Sequence, residues 1–446
     1  MNRVLPLLMV CMLLLLNLPA RARSQETRKP RTPACGAWDL VYSSNPKGSP
    51  AFFGVATVPG TVEAWAVGNH TYEYSWTLVE HWDGTSWQVV ASPNHPAAYH
   101  YLYGVTAVAP NDVWAVGCYG EYNSCYGTLT LHWDGTSWSI VPSPSPTNYT
   151  GLYSVVATSA DDVWAVGYYY SDTAQQTLIE HWDGTSWSIV PSPNVGTSDN
   201  LLQAVAVVPN SQRLWAVGYY YREDGGPSTL VQRWDGSAWI VVPSPNGYSR
   251  ENYLRGVSSS GPNDVWAVGY YNNPTGNYVP LTEHWDGTSW QIVPSPGLSS
   301  SLTALAAVSS ISSTDVWAVG AYYNDNSALL TLAQHWDGTT WQVFTTPNPA
   351  GFDPSAINSF TSVASVPGMG VWAVGYSAIP FMSSQTLTAF YCPVGSPTPT
   401  PSPTPTATAT ATATATITPT VTPSPIATPR VSPRPRPTPA PRPTPR

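Results

Sequence analysis

The chain has 446 residues, and between Pro33 and Pro397 it carries 25 acidic against 6 basic side chains, a net charge of −19. A surface of that sign excludes nucleic acid, because phosphate recognition needs a basic patch. Beyond the N-terminus, no segment approaches the ~18 continuous apolar residues of a membrane span.

In chain order, the first element is a secretory signal: Arg3, an apolar stretch from Val4 to Leu18, and Ala20-Arg21-Ala22 as a small-x-small cleavage site. The expected boundaries are a signal peptide at 1–22 and a short linker at 23–33. A lipoprotein reading would use Cys11, but Val10 is too large for the usual site before it.

From residue 34 to 395 the chain is a repeat. Trp-Ala-Val-Gly recurs at Trp65, Trp114, Trp164, Trp215, Trp266, Trp317 and Trp372, starting 49 to 55 residues apart. All but the last copy are followed by His-Trp-Asp-Gly-Thr-Ser-Trp or a variant, as at His181 to Trp187. Within one unit the expected strands are Tyr153–Thr158, Val163–Tyr170, Thr177–Trp182 and Trp187–Val190, separated by turn residues and closed by Pro191-Ser192-Pro193. No segment has helical periodicity. The spacing therefore predicts an all-β fold, a seven-bladed β-propeller of four-stranded antiparallel blades.

The first strand of each unit is expected to be innermost. Small residues such as Gly54 and Ala56, Gly104 and Thr106, Ala204 and Ala206, Gly256 and Ser258, Ala304 and Ala306, and Ser362 and Ala364 would face the crowded axis. Twenty of the 21 tryptophans fall on three repeat positions and are read as packing between blades. His81, His132, His181, His284 and His335 share one position and are read as structural, since a catalytic base is needed once. The turn aspartates Asp83, Asp134, Asp183, Asp235, Asp286 and Asp337 are expected to bond their own backbone, and Asp112, Asp162, Asp264 and Asp315 to do likewise.

Trp38 reveals a lone fourth strand at the N-terminus, matching the one that the last unit lacks after Leu387–Tyr391. Cys35 and Cys392 then fall at adjacent positions of one hairpin turn, which predicts a disulfide locking a composite last blade. Cys118 and Cys125 flank one loop and are expected to form a local staple. Four cysteines in a mature exported chain fit an oxidising compartment, and no C-x-x-C pair or His cluster supports the competing metal reading.

The unit resembles the kelch-like and Asp-box repeats of many secreted bacterial β-propellers over nearly all of residues 34–395. It departs from them in lacking the kelch glycine doublet, and Asp183-Gly184-Thr185-Ser186-Trp187 is one residue shorter than the usual Asp-box. Because that resemblance spans hydrolases, oxidases and pure binding proteins, it implies a fold and no particular reaction.

Function is expected where the repeat fails. The second-to-third-strand and inter-blade loops share one face, are long, and differ between units. Trp76, Tyr72, Tyr74, Tyr122, Tyr170, Tyr221, Tyr271 and Tyr323 are the candidate ligand-binding residues there, suited to glycan or protein surfaces. Trp76 is the one tryptophan outside the repeat. Non-repeat acids on the same face (Glu73, Glu121, Asp172, Asp199, Glu223, Asp224, Glu251, Asp325, Asp353) carry no recognisable motif, leaving a polysaccharide-active hydrolase or lyase, or a scaffold only, as the alternatives. No phosphate loop, nucleophile motif or metal box occurs, so no cofactor is expected. From Ser396 to Arg446 the chain is rich in Pro, Thr and Ala with five arginines and no acid, an expected disordered tail reaching roughly 150 Å, whose arginines would hold anionic cell-wall polymers or the acidic propeller, or serve solubility alone. The whole reads as a monomer, secreted or held at the cell surface.

Overall fold

A computed structural model describes residues 35–121, 124–248, 251–298, 302–380 and 382–394. The expected signal peptide, linker and tail, and Tyr122, lie outside the described residues. Among those described, every regular element is a strand, 28 in all. The strands pair as antiparallel four-strand meanders, one per repeat, with three pairs of neighbouring meanders joined by single parallel residue pairs, Ser75 with Tyr99, Tyr278 with Leu302 and Leu329 with Ile357. In the third unit they span Thr150–Ser159, Asp162–Tyr170, Gln175–Trp182 and Trp187–Ile189.

The seventh unit is composite. Its first three strands, Ile357–Val366, Gly370–Ala378 and Gln385–Tyr391, are completed by Trp38–Leu40, with Trp38 opposite Tyr391 and Leu40 opposite Ala389. Both predicted disulfides form: Cys35 to Cys392, 357 residues apart, and Cys118 to Cys125. Behind the first, Asn45 Oδ1 accepts the Thr386 N–H at 2.8 Å. The same bond recurs inside other units, Asn94 to Thr77 and Asn194 to Thr177. The N-terminal segment thus supplies the last unit with its fourth strand and with the outer cover that Pro-Ser-Pro-Asn gives elsewhere.

Tryptophan joins the units. Trp65 meets Trp133 and Trp138 of the next unit at 5.1 and 5.3 Å between ring centroids, and Trp114, Trp164, Trp215 and Trp266 repeat the arrangement at the following junctions. Trp317 meets Tyr391 and Trp38. Trp372 of the seventh unit meets Trp82 and Trp87 of the first at 5.0 and 5.1 Å. Inner strands of the first and seventh units also bond directly: Ser362 Oγ accepts the Val55 N–H, and Thr57 donates to Ser365 O at 2.8 Å.

The repeated histidines are structural, as expected, and their partners correct one reading. His132 Nε2 lies 2.8 Å from Asp112 Oδ1, and His181, His284 and His335 lie 2.7 to 2.8 Å from Asp162, Asp264 and Asp315. These aspartates therefore take the histidine, where a turn-capping role was expected. Glu63 does the same for His81. Each histidine is thereby held over the tryptophan of its own unit, 4.2 to 4.5 Å from ring to ring. In the hairpin turns the expectation holds: Asp183 Oδ1 accepts the N–H groups of Thr185 and Ser186 and the Thr185 hydroxyl, pulling its carboxyl down to about 2.

The glycine of Trp-Ala-Val-Gly has a steric cause. In every unit the inner strand carries a β-bulge opposite it, as between Leu254 and Gly256 across from Gly269. A Cβ on Gly269 would lie 1.9 Å from Tyr253 O, and one on Gly218 would lie 2.0 Å from Leu201 O. The bulge also corrects the expected phase in the sixth unit, where Ala307, not Ala306, occupies the crowded position and Ala306 is the extra residue. At that crowded position Gly256 approaches the Ala307 backbone so closely that a Cβ would sit 2.9 Å from its Cα.

The third strands bury a polar position next to the preceding unit. Gln232 donates to Pro193 O and accepts from Ser192, and Gln334 does so with Pro296 and Ser295. Glu80, Glu180 and Glu283 fill the same position, fully buried. Burial pushes the carboxyls of Glu80 and Glu180 up to about 8 and that of Glu283 well above the usual range, against a smaller opposing effect of Ser44, Ser143 and Ser244. Unlike the glutamines, these three carboxyls have no hydrogen-bond partner on either oxygen among the described residues, and the neutral acid is the form that such burial favours.

Two outcomes are expected. Gly269→Ala should cost more than about 3 kcal/mol in urea unfolding, because backbone must move to admit the Cβ. Because the glutamates hold protons in the folded chain that the unfolded chain loses near pH 4.5, their stabilisation is complete below that pH and declines as pH rises towards 8. Glu180→Gln with Glu283→Gln should therefore flatten the fall in melting temperature between pH 5 and pH 8.5; an unchanged slope would refute the neutral-carboxyl assignment.

Candidate functional site

The antiparallel meander sends the short Asp turns to one end of each sheet and the second-to-third-strand loops to the other, together with the entry to each inner strand. Tyr72, Tyr74 and Trp76 stand at that second end in the first unit, Tyr72 being 72 % exposed and Trp76 39 %. Tyr74 meets Trp76 and Tyr99 edge-on at 6.5 and 6.4 Å. Trp76 lies nearly parallel to His100, 5.9 Å away. That imidazole is buried and fixed from both sides, by Ser75 O at 2.9 Å and His95 O at 2.7 Å. A groove of about 400 Å³ runs beside Trp76, lined by Pro46, His70, Val89, Ser92 and Asn94.

The other candidate residues are dispersed. Tyr170 packs on Tyr149, which meets Tyr126 at the start of the third strand of the second unit. Tyr271 lies against Gly247, whose added Cβ would touch its ring, and against the core between the fourth and fifth units. Tyr221 and Tyr323 are partly buried and pack on a cluster that the sequence reading missed: Tyr168, Tyr219, Tyr253 and Tyr270 with Leu302 and Leu329.

The bulges place seven extra residues at equivalent positions of the inner strands: Phe53, Tyr103, Tyr153, Gln203, Arg255, Ala306 and Thr361; Tyr153 and, through Tyr270, Arg255 join that cluster. Phe53 packs on Tyr103 and Tyr103 on Tyr153, at 5.5 and 5.3 Å. Arg255 donates to Gln203 Oε1 at 2.8 Å and to the Tyr270 hydroxyl at 3.1 Å. Its guanidinium carbon lies 5.7 to 6.0 Å from the ring centres of Tyr219, Tyr253 and Tyr270. Burial opposes the Arg255 charge, and the Tyr270 hydroxyl that accepts from it favours it. Burial also pushes the Tyr103 and Tyr153 phenols well up, which keeps them neutral. The available signal was an exception to the small-residue rule: a long or aromatic side chain one place before the small residue in five of the seven inner strands.

Several non-repeat acids of this face serve the loops. Asp199 Oδ1 accepts the Gln175 N–H, Asp224 pairs with Arg222 at 3.1 Å, and Glu251 accepts from the Tyr278 hydroxyl at 2.8 Å. Among the described residues no group of three His, Cys, Asp or Glu side chains could hold a metal ion, and no helix could cross a membrane.

No protein-family model and no curated protein matches this chain. Solved structures do. One of YCF48 bound to a D1 peptide is 13 % identical, covers 83 % of this chain and 99 % of its own, and superposes with a TM-score of 0.50. A polysaccharide lyase of family PL25, an ulvan lyase bound to -[GlcA(1-4)Rha3S]-, is 9 % identical, covers 80 % and 96 %, and also reaches 0.50. At such identities the likeness is one of fold.

Proposed function

We propose that this chain is an exported seven-bladed β-propeller whose variable-loop face binds a glycan or protein ligand. The tryptophan contacts that pass through every unit and return from Trp372 to Trp82 and Trp87 support a closed ring, which the Cys35 to Cys392 bridge locks. Closing a loop of that length removes roughly 5 kcal/mol of unfolded-chain entropy in the loop-closure model. Two disulfides and the signal-like N-terminus support export, with residues 34–395 as the propeller and 396–446 as a tail that displays it.

One observation carries the binding reading. Repeat-position tryptophans are spent on junctions, whereas Trp76 remains exposed on a buried His100, whose two ring nitrogens face the Ser75 and His95 carbonyls, and borders a groove. A flat indole held rigid beside open space is the feature that sugar rings and extended peptide segments stack on. The second reading, a polysaccharide hydrolase or lyase on the same face, draws on Glu251 and Tyr278 lying near Arg255 and Tyr270, an acid and phenols in one cluster.

Retention of the purified chain on a panel of polysaccharides and cell-surface proteins, with parallel assays for new reducing or unsaturated ends, separates the two. We expect retention without cleavage, weakened about tenfold or more by Trp76→Ala at unchanged melting temperature. Cleavage lost in Glu251→Gln would replace the binding reading with the enzymatic one.

A further inference from the structure

The seven bulge residues stand at equivalent positions, filled on one side and open on the other. Phe53, Tyr103, Tyr153 and Gln203 are large and touch neighbours, whereas the two after Arg255, Ala306 and Thr361, are short. A notch of about 30 Å³ lies on that short side, lined by Tyr270, Leu302, Ala304, Ala306, Ala321 and Phe360 among others. This is room for one methyl-sized group. Tyr270 connects the two, lining the notch and accepting from Arg255 through its hydroxyl.

Its neighbours leave the guanidinium underused. Arg255 forms no ion pair with a carboxylate among the described residues, and its five N–H donors meet two acceptors, Gln203 Oε1 and the Tyr270 hydroxyl. Its Nε is buried without a partner. Of the other bases of residues 34–395, Arg222 is paired with Asp224 and Arg213 is exposed, while Arg233, whose Nε is also buried without a partner, lies over the single ring of Trp215 at a junction between units. A cation walled by tyrosine rings and hydroxyls, at the entry end of the inner strands, is the arrangement that recognises a planar anion.

We propose that this hub is a carboxylate-binding site, in which Arg255 takes a single carboxylate of the ligand, and the notch beside Ala306 takes a small apolar substituent in ligands that carry one. It deepens the binding-module reading and rests on it. The net charge of −19 over residues 34–397 disfavours polyanions. The ligand is therefore one carboxylate on an otherwise uncharged or cationic molecule.

Titration calorimetry of the full chain with sodium glucuronate and with N-acetyl-alanine tests this, with methyl glucoside and N-acetyl-alaninamide as the matched neutral probes. We expect an acid to bind and its neutral counterpart not to, with binding at least about tenfold weaker in Arg255→Gln, partly restored in Arg255→Lys, and unaffected in Arg222→Gln. Tighter glucuronate binding assigns the carboxylate to a sugar, and tighter N-acetyl-alanine binding assigns it to a chain end. If neither acid binds at millimolar concentration, or if Arg255→Gln binds as well as the parent with its melting temperature preserved, the site assignment is overturned. Retention of the chain on a panel ligand that Arg255→Gln leaves intact would then show that the broader binding reading survives without it.

Discussion

Everything in this structure depends on the tryptophan of one unit entering the aromatic pair of the next. A four-stranded meander has two faces and no core of its own, so its stability must come from its neighbours. The indole of Trp-Ala-Val-Gly supplies that contact, and the histidine stacked on it, held by an aspartate or by Glu63, keeps the ring in place. Where the histidine is absent the contact is kept by other means: Arg233 over Trp215, and Phe390 on Trp372. The invariant element is thus a stacked partner for the tryptophan, and the residue type is secondary.

A second constraint follows from how closely inner strands approach. Gly54, Gly104 and Gly256 let the backbones of adjacent units come together, and the bulge just before them lets the strand keep its pairing while turning one side chain out of the ladder. The glycine of the repeat exists to clear the carbonyl that the bulge pushes forward. The bulge itself is defined by backbone bonds, so its side chain is free to differ in every unit. That is why seven nearly identical units present Phe53, Tyr103, Tyr153, Gln203, Arg255, Ala306 and Thr361 at equivalent positions, and why chemical individuality concentrates there and in the loops above.

Burial between units also sets the protonation of the third strands. Glutamine at 232 and 334 satisfies a serine and a proline carbonyl in the preceding unit. Glutamate in the same place makes neither bond, and burial of an unpartnered carboxyl favours its neutral form. The acidic composition of the chain therefore overstates the charge that the folded protein carries at neutral pH.

Local features were legible in the sequence because they obey local rules. Repeat length, turn residues and strand alternation set the four-strand unit, the unpaired strand at Trp38 and the displaced Cys35 and Cys392 showed that the two ends share one sheet, and recurrence marked the histidines and tryptophans as structural. Only the tertiary structure decided what meets across units. A β-bulge leaves a faint mark in a single strand, since one extra residue looks like ordinary alternation until the register of the neighbour is known; hence the misplaced phase at Ala306 and the overlooked Arg255. The exposed tyrosines were recognisable as exceptions to the repeat, but Tyr221 and Tyr323 join the buried hub, Tyr271 joins the core, and Trp76 rests on His100, because positions that share a loop type in sequence lie against different neighbours once the units are packed together.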